Sequence, residues 1–364
     1  MAGTELRVVI AGGGTGGHLY PGLAVARELQ RRVPSARVTF AGTARGLEAR
    51  VIPREGFELD LIRSAGLKGK SVGALLRGAA LLPASALDAW RVLTRRRPMV
   101  VIGVGGYSSG PIVLAAALHR IPTLVLEQNA TPGLTNRVLA RVVDAAAVTF
   151  EATLPYFRGR GFVSGNPVRS EFFVDQGTPP PDAADTAAVL IVGGSQGAHA
   201  INMAMVEAAP RLAADGRVAI THQTGERDVD MVRAAYNRAG LRARVEPFLF
   251  AMADEMRRAD VVVARAGATT LAELAASGRP AVLIPLPTAT DDHQRKNAML
   301  LRDAAAAVVI EQRELTGEAL GRVIGELAAD SSRRKSMSAA MTGFSRPDAA
   351  AVIADRVLAL ARRG

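Results

Sequence analysis

The fold of this 364-residue chain is decided by VVIAGGGTGG (8–17) and VLIVGGSQGA (189–198), in which an apolar run passes directly into a glycine-rich loop. The apolar runs are continuous rather than alternating, which is typical of parallel strands covered on both faces. A helical pattern follows each loop, so each stretch predicts the first strand–loop–helix unit of an α/β domain. The sequence therefore predicts two doubly wound domains with parallel sheets.

Further apolar runs alternate with helical patterns through both halves of the chain. The predicted strands are 7–12, 37–42, 99–105, 123–128 and 145–150 in the first half, and 188–194, 217–225, 244–248, 261–267, 281–287 and 306–312 in the second. Between the halves, VDQGTPPPDAADT (174–186) has the composition of a linker or exposed loop. Ligands are expected at the carboxyl ends of the strands, in a cleft between two domains that face one another.

Composition narrows the class of partner. The net charge of +11 favours anionic partners such as phosphates, nucleic acid or an acidic membrane surface. Aromatic residues make up only 4% and form no cluster with basic residues, so a base-stacking nucleic-acid surface is disfavoured. The chain has no cysteine, which rules out disulfides and thiolate metal sites. Neither a signal peptide nor a membrane-spanning segment is expected, because no apolar run is long enough.

The first glycine loop matches a dinucleotide-binding pattern only in part. Three glycines satisfy G-x-G-x-x-G: Gly12, Gly14 and Gly17. A dinucleotide site also needs an acid at the end of the second strand, but that strand ends TFAGTARG (39–46) and no acid occurs before Glu48. His18 follows the loop in the first helical turn, where the helix dipole favours a neutral imidazole. His18 is therefore either a general base beside an anion site or a residue that caps the loop.

In the second half, several polar residues have both a functional and a structural interpretation. Ser195 either donates to a phosphate or caps a helix. Glu273 either accepts hydrogen bonds from ribose hydroxyls or forms a capping box with Thr270. The pair at 291–292 is expected to be helix N-terminal carboxylates rather than metal ligands, since no third ligand lies nearby in sequence. His293 and Gln294 either face solvent or recognise sugar hydroxyls.

Nine motifs in order give the chain a specific resemblance. They are GGGTGGHLYPGLAVA (12–26), GLKGK (66–70), GVGGYSSGP (103–111), LEQNATPGLTNR (126–137), GNPVR (165–169), GGSQGAHAIN (193–202), HQTG (222–225), ARAGATTLAE (264–273) and DDHQRKNA (291–298). With these motifs the chain resembles the bacterial peptidoglycan glycosyltransferases of family 28. The resemblance implies a GT-B fold, α/β with two Rossmann-like doubly wound parallel-sheet domains facing across a cleft. It implies an acceptor and membrane-facing domain over 1–165 with a returning helix over 345–364, and a UDP-GlcNAc-binding domain over 166–344.

The resemblance also implies an activity and its partners. A family member moves N-acetylglucosamine (GlcNAc) from UDP-GlcNAc to the C4 hydroxyl of the N-acetylmuramic acid (MurNAc) of lipid I, with inversion, which gives lipid II for peptidoglycan. Lipid I is undecaprenyl-pyrophosphoryl-MurNAc-pentapeptide, so an anionic membrane surface is a third partner and nucleic acid is not one. No cofactor and no metal are expected. The implied location is the cytoplasmic face of the plasma membrane, as a peripheral protein.

Site residues carry over motif by motif. The catalytic candidates are His18, Glu127 and Tyr107. The donor-binding candidates are Thr15, Gly16, Gly17, Asn129, Arg169, Ser195, Leu249, Ala268, Thr269, Thr270, Leu271, Ala272, Glu273 and Gln294. The acceptor or cleft candidates are Gly13, Gly14 and Asn202, although Tyr107 and Asn202 are also consistent with simple packing. The chain departs from the family pattern at Leu126, often histidine, at His293 in place of a first glutamine, and at 264–267, where one hydroxyl is lost.

The stretch 67–97 predicts a membrane-contact surface. Its apolar residues are flanked by lysines and arginines, as suits an anionic bilayer interface, although a core helix with solvated basic ends has the same pattern. The residues proposed for this surface are Val72, Leu75, Leu76, Arg77 and Leu82.

Other functions fit parts of the pattern. A UDP-GlcNAc 2-epimerase shares the GT-B architecture, but it would need neither the GGYSSGP (105–111) and EQNATPG (127–133) loops nor a basic apolar surface. A transferase acting on a different glycolipid is a closer alternative. A non-enzymatic module that binds anions would not need paired glycine loops.

Overall fold

The computed structural model describes residues 5–44, 46–64, 81–173, 186–194 and 197–363. It contains two compact units, Met1–Val168 with Arg346–Gly364, and Arg169–Ser345. Some residues predicted to function lie outside the described residues, namely Val72, Leu75, Leu76, Arg77 and Ser195.

The first unit contains a seven-stranded parallel sheet in the order β3-β2-β1-β4-β5-β6-β7. Its strands are β1 Arg7–Gly12, β2 Arg37–Gly42, β3 Glu58–Leu61, β4 Val100–Gly105, β5 Thr123–Glu127, β6 Ala145–Val148 and β7 Gly161–Val163. Its described helices are α1 Gly16–Arg32, α2 Glu48–Arg54, α3 Leu82–Arg96, α4 Ser109–Leu118 and α5 Leu134–Leu139, with a 3-10 helix at Glu151–Phe157. The C-terminal helix Ala349–Ala361 belongs to the same unit.

Strand β1 shows why the apolar runs of the sequence are continuous. Val8 and Ile10 pack into one core with residues of α1 and the C-terminal helix. Val9 and Ala11 pack into a second core with residues of α3 and α4. Since successive side chains of a strand point to opposite faces, a sheet covered on both faces needs apolar residues at every position.

The second unit contains a six-stranded parallel sheet in the order β10-β9-β8-β11-β12-β13. Its strands are β8 Ala187–Val192, β9 Val218–Gln223, β10 Ala243–Glu246, β11 Val261–Ala264, β12 Ala281–Leu283 and β13 Ala307–Val309. Its helices are α6 His199–Asp215, α7 Val229–Ala239, α8 Met252–Arg258, α9 Ala268–Ser277, α10 His293–Asp303, α11 Gly317–Ala329 and α12 Ser331–Thr342, and the C-terminal helix of the first unit is α13. Three-residue 3-10 helices lie at Ser170–Phe172, Thr290–Asp292 and Gln312–Glu314.

Both sheets have the strand order of a Rossmann-like fold, which confirms the predicted fold class. In each, the order reverses beside the first strand, between β1 and β4 and between β8 and β11. Ligands of such sheets bind at the carboxyl ends of the strands near this reversal. The loops that follow β1, β4, β8 and β11 are therefore the candidate ligand-binding loops.

Among the described residues, no helix has the length and apolarity needed to cross a membrane.

Candidate active site

The loops after β1 and β4 are in close contact. A Cβ added at Gly106 would lie 2.5 Å from the carbonyl oxygen of Gly13, and one added at Gly105 would lie 2.7 Å from Nδ1 of His18. Both glycines have positive φ, of 80° and 96°. A side chain at either position would therefore be strained and would push the two loops apart.

His18 projects from the first turn of α1 toward Gln128. Its Nδ1 lies 3.3 Å from Oε1 of Gln128, whose Nε2 donates to the carbonyl oxygen of Val104 at 3.1 Å. Because the donation to Val104 fixes the orientation of the amide, its oxygen faces the ring, and a neutral His18 carries its proton on Nδ1. The acceptor lone pair is then on Nε2, which is the arrangement a general base requires. The sequence analysis did not identify Gln128 as a site residue.

Glu48, which the sequence analysis considered only as an acid too late to bind ribose, lies under the first glycine loop. Its side chain is 1% exposed. One carboxylate oxygen accepts from the amide of Gly14 at 2.7 Å. The other accepts from the amide and hydroxyl of Thr43 at 2.8 and 3.0 Å. Because its partners are the glycine loop and the end of β2, the carboxylate joins these two segments.

Glu127, predicted to be catalytic, is enclosed by the loop that follows β5. Its carboxylate accepts from the backbone amides of Asn129 and Gly133 at 3.0 and 3.1 Å, and from the side-chain amides of Asn129 and Asn136 at 3.2 and 2.9 Å. Burial raises the pKa of Glu127, and these hydrogen bonds act in the opposite direction. With its acceptor oxygens engaged by the loop, Glu127 is placed to orient Asn129 rather than to take a proton from a substrate. The catalytic role expected of Glu127 from the sequence stays a prediction.

Other first-unit candidates lie at the surface. Tyr107 is 54% exposed, so the packing alternative does not describe its ring. Thr15 is exposed at the N-cap of α1 and makes no capping hydrogen bond through its side chain. Gly16 and Gly17 form the first turn of that helix. These groups are positioned to contact a ligand at the carboxyl edge of the sheet.

Asn202, predicted to line a cleft, is instead fully buried in the second unit. Its amide donates to the carbonyl of Thr224 at 2.9 Å and to Asp228 at 2.8 Å, and its oxygen lies 3.0 Å from Nε2 of His222. Burial lowers the pKa of His222 to about 3, so this imidazole is neutral. A Cβ added at Gly197 would lie 1.9 Å from the Thr224 carbonyl. Asn202 therefore supports the turn against which the second glycine loop packs, and the packing interpretation is correct.

The sequence 268–273 forms the start of α9. The N-cap is Gly267, so the capping box expected between Thr270 and Glu273 is not formed, because both residues lie inside the helix. Burial raises the pKa of Glu273 from its ordinary 4.5 to about 7, an effect that the positive charge of Arg169 opposes and the negative charge of Glu171 reinforces. The carboxyl of Glu273 is therefore near an exposed arginine, as a site for a ribose and a phosphate requires.

Arg169 precedes the 3-10 helix Ser170–Phe172. Its guanidinium lies 2.9 Å from a carboxylate oxygen of Glu171 and 5.0 Å from the centre of the Phe172 ring. The side chain remains half exposed, so its charge is available to an anionic ligand.

The loop after β10 carries two exposed aromatic rings. Phe248 and Phe250 are 43% and 93% exposed, and their rings lie edge to face with centres 5.0 Å apart. Between them Leu249 is buried. Exposed rings of this kind can stack on a base. Leu249 was predicted to bind the donor, whereas Phe248 and Phe250 were not among the predicted residues.

Gln294 lies in the first turn of α10. Its side-chain oxygen accepts from the amide of Leu286 at 3.0 Å, so the residue ties the helix start to the segment after β12. Asp292 is the N-cap of the helix, with φ of 56°, and the helix begins at His293. In the described part of the chain, no group of three histidine, aspartate or glutamate side chains is arranged to hold a metal ion.

The chain matches both halves of one enzyme family. The model of the glycosyltransferase family 28 N-terminal domain matches residues 8–148, and that of the C-terminal domain matches residues 188–353. A protein of Anaeromyxobacter sp. (strain K) is 49% identical over 360 residues, which cover 98% of this chain and 94% of that protein. It is named UDP-N-acetylglucosamine--N-acetylmuramyl-(pentapeptide) pyrophosphoryl-undecaprenol N-acetylglucosamine transferase.

Comparison with solved structures supports the same family. The crystal structure of MurG from Acinetobacter baumannii aligns with a TM-score of 0.80 at 31% identity, covering 97% of this chain and 99% of that one. The UDP-GlcNAc 2-epimerase from Neisseria meningitidis bound to UDP-GlcNAc aligns with a TM-score of 0.67 over 97% of this chain and 99% of that one. At 12% identity the second likeness shows the fold alone. With two family models and a full-length relative in agreement, the chain belongs to glycosyltransferase family 28.

Proposed function

We propose that this protein transfers GlcNAc from UDP-GlcNAc to the C4 hydroxyl of the MurNAc of lipid I, which produces lipid II for peptidoglycan synthesis. The observation that carries the proposal is the 49% identity, over 98% of this chain, with a protein named for that transfer. The loops described above supply groups suited to each part of the two substrates.

The donor is held by the second unit. The Phe248 ring and the Leu249 backbone meet the uracil, and Glu273 accepts from the ribose hydroxyls. Arg169 and the amino end of α9, whose first residues are Ala268 and Thr269, face the diphosphate, since the positive end of a helix dipole favours an anion. The support is that Arg169 and Glu273 are close enough for the charge of one to shift the pKa of the other.

The acceptor is activated by the first unit. His18 accepts the proton of the C4 hydroxyl through Nε2 as the oxygen attacks the anomeric carbon, and UDP leaves from the opposite face with inversion. Gln128 keeps the proton of the neutral imidazole on Nδ1. Asn129, oriented by Glu127, contacts a sugar hydroxyl.

The charge that builds on the departing diphosphate is stabilised by Arg169 and by helix N-terminal amides, and we include no metal in the reaction. GlcNAc transfer is therefore expected to continue in the presence of EDTA.

Membrane contact is made by three helices of the first unit. Helices α3, α4 and α5, together with the turn after α5, present exposed apolar side chains. We call these side chains the apolar surface: Leu82, Leu87, Trp90, Leu114, Leu118, Leu134, Val138 and Val142. Arginines on the same helices, including Arg91 and Arg95, are also exposed. Apolar groups among cations fit an anionic bilayer surface. We therefore propose a peripheral protein on the cytoplasmic face of the plasma membrane, where the lipid I head group is presented.

The test is a transfer assay with radiolabelled UDP-GlcNAc and a short-chain lipid I analogue. Label in a β1,4-linked product is the expected result, and replacement of the base by His18→Ala should lower kcat by about 100-fold or more, since general-base catalysis is worth roughly 10²–10⁴-fold. His119→Ala is the matched control, because His119 is an exposed histidine of the same unit, at the C-terminal end of α4.

Two outcomes would contradict the proposal. Release of UDP with free N-acetylmannosamine and no labelled lipid would indicate an epimerase. A His18→Ala enzyme with the kcat of the control would exclude His18 as the base.

A further inference from the structure

Glu48 lies in the first turn of α2, beneath the glycine loop, and is not itself assigned to either substrate. We propose that Glu48 is a positioning residue that builds the first glycine loop around its own carboxylate and thereby sets the place of His18. The inference deepens the proposed function, since His18 is the base there, but its structural part can be tested without activity.

The hydrogen bonds of Glu48 define a single arrangement of the loop. Three donors, the amide of Gly14 and the amide and hydroxyl of Thr43, converge on the two carboxylate oxygens within 2.7–3.0 Å. Hydrogen bonds to an ionised acceptor are shorter and stronger than neutral ones. A buried carboxylate that lost these donors would be left unsatisfied, so the loop and the end of β2 are held to it.

The glycines around Glu48 leave room for the carboxylate. A Cβ added at Gly13, Gly42 or Gly46 would lie 2.5, 2.5 or 2.1 Å from an atom of the Glu48 side chain. Gly42 and Gly46 have no positive φ, so an alanine at either position would not strain the backbone. It would only collide with the Glu48 side chain. The glycine content of this region is therefore explained in part by the volume of Glu48, and not only by the approach of a ligand.

One consequence concerns the phosphates of the substrates. The Gly14 amide points into the protein toward Glu48, so it is engaged and does not contribute to an anion site. Gly14 was predicted to line the acceptor site or cleft, but its amide already donates to Glu48. The outward face of the loop is formed by its other groups, which include Thr15, exposed at the N-cap of α1. His18 lies one helical turn farther along, so a shift of the Gly14 segment displaces the imidazole.

The first experiment measures amide hydrogen exchange at Gly14 by NMR in the free wild-type protein. We expect Gly14 to be protected although it lies in an exposed loop, and Glu48→Gln to lose that protection by about 10-fold or more. In the glutamine variant an amide NH₂ faces N–H donors, which cannot be accommodated without movement. Fast exchange at Gly14 in the wild-type protein would overturn the proposal, whatever reaction the protein catalyses.

The second experiment separates positioning from folding. Glu48→Gln should lower kcat by about 10–100-fold, the range expected when a catalytic group is misplaced by about an ångström. The dissociation constant of UDP should stay within about twofold, because UDP binds residues that do not contact Glu48. Thr43→Val, which removes only the hydroxyl donor, should lower kcat by a smaller factor than Glu48→Gln.

The control is Asp144→Asn. Asp144 also accepts from the amide and hydroxyl of a threonine, Thr123, but at the amino end of β5, away from the loops. It should leave kcat unchanged. Equal losses of kcat in Glu48→Gln and Asp144→Asn, or no loss in Glu48→Gln, would overturn the proposal.

A double-mutant cycle gives an independent check. Gly46→Ala should be harmful beside Glu48 and less harmful in the Glu48→Ala background, where the space is empty. Additive effects on thermal stability and kcat would contradict the packing on which the proposal rests.

Discussion

At the residue scale, Glu273 makes the proposed donor site sensitive to pH. Burial raises the pKa of Glu273 to about 7, and the charge of Arg169 limits the rise. Near neutral pH the carboxyl therefore exchanges protons in the free protein. A ribose diol is bound best by the ionised form, which accepts two hydrogen bonds.

This shift makes stability depend on pH. Between about 4.5, the ordinary value, and about 7, the folded protein binds more protons than the unfolded chain, so the free energy of unfolding falls as pH rises through this window. Glu273→Gln should remove this fall, worth at most roughly 3 kcal/mol at 1.36 kcal/mol per pKa unit. Urea unfolding at pH 5 and pH 8 measures it, with the exposed Glu318→Gln as control. The same pH dependence in both variants would contradict the assignment.

Short-range spacing could not predict these residue-scale details. Thr270 and Glu273 have the spacing of a capping box, but the helix begins three residues earlier, after Gly267, whose extended backbone serves as the N-cap. The role of Glu48 depends on Gly14, which is 34 residues away in sequence. The role predicted for His18 came from the resemblance of a whole motif. That prediction therefore needed no knowledge of contacts between residues far apart in sequence.

At the element scale, the sequence predicted all six strands of the second sheet but missed the two edge strands of the first. The two missed strands of the first unit, β3 and β7, are the two edges of its sheet. Strand β3 is ELDL, in which charged and apolar residues alternate, and β7 has only three residues. Edge strands pack against fewer neighbours, so they lack the continuous apolar run by which the central strands are predicted. Runs such as 261–267 were predicted too long, since the strand ends at Ala264 and the site loop follows.

The apolar surface of α3, α4 and α5 gives a prediction at the same scale. Trp90, in the middle of α3, is 50% exposed and was not among the residues proposed from the sequence. Trp90→Asp should weaken binding to phosphatidylglycerol vesicles by at least about 10-fold, because it removes a large apolar contact and adds repulsion from the anionic lipid. Activity on a short-chain acceptor without vesicles should be unchanged. Vesicle sedimentation at low salt measures the binding.

The matched control for the vesicle assay is Met231→Asp, which introduces the same charge at an exposed apolar residue of the second unit. If both variants bind vesicles as the wild-type protein does, the apolar surface is not the membrane contact. If both bind more weakly to the same extent, net charge alone governs the binding.

At the scale of the whole molecule, the last segment of the chain belongs to the first unit. It leaves that unit at Val168 and returns at Arg346, and α13 then packs against α1 and β4. Residues of α13, including Ile353 and Val357, are fully buried in the core that also holds Val8 and Ile10. The first unit is therefore built from two separate segments, and its stability depends on residues that follow the entire second unit.

Ile353→Ala tests this dependence. Removing a fully buried isoleucine side chain should lower the free energy of unfolding of the first unit by about 2–5 kcal/mol. Trp90 is the sole tryptophan of the chain and lies in the first unit, so its fluorescence during urea unfolding reports on that unit. Leu61→Ala, at an exposed leucine of β3, should cost less than about 0.5 kcal/mol. UDP affinity in buffer should be unchanged, because the residues proposed above to hold UDP belong to 169–345. If the Trp90 fluorescence of Ile353→Ala changed at the same urea concentration as in the wild-type protein, α13 would add little to the stability of the first unit. That result would contradict the expectation from the burial of Ile353.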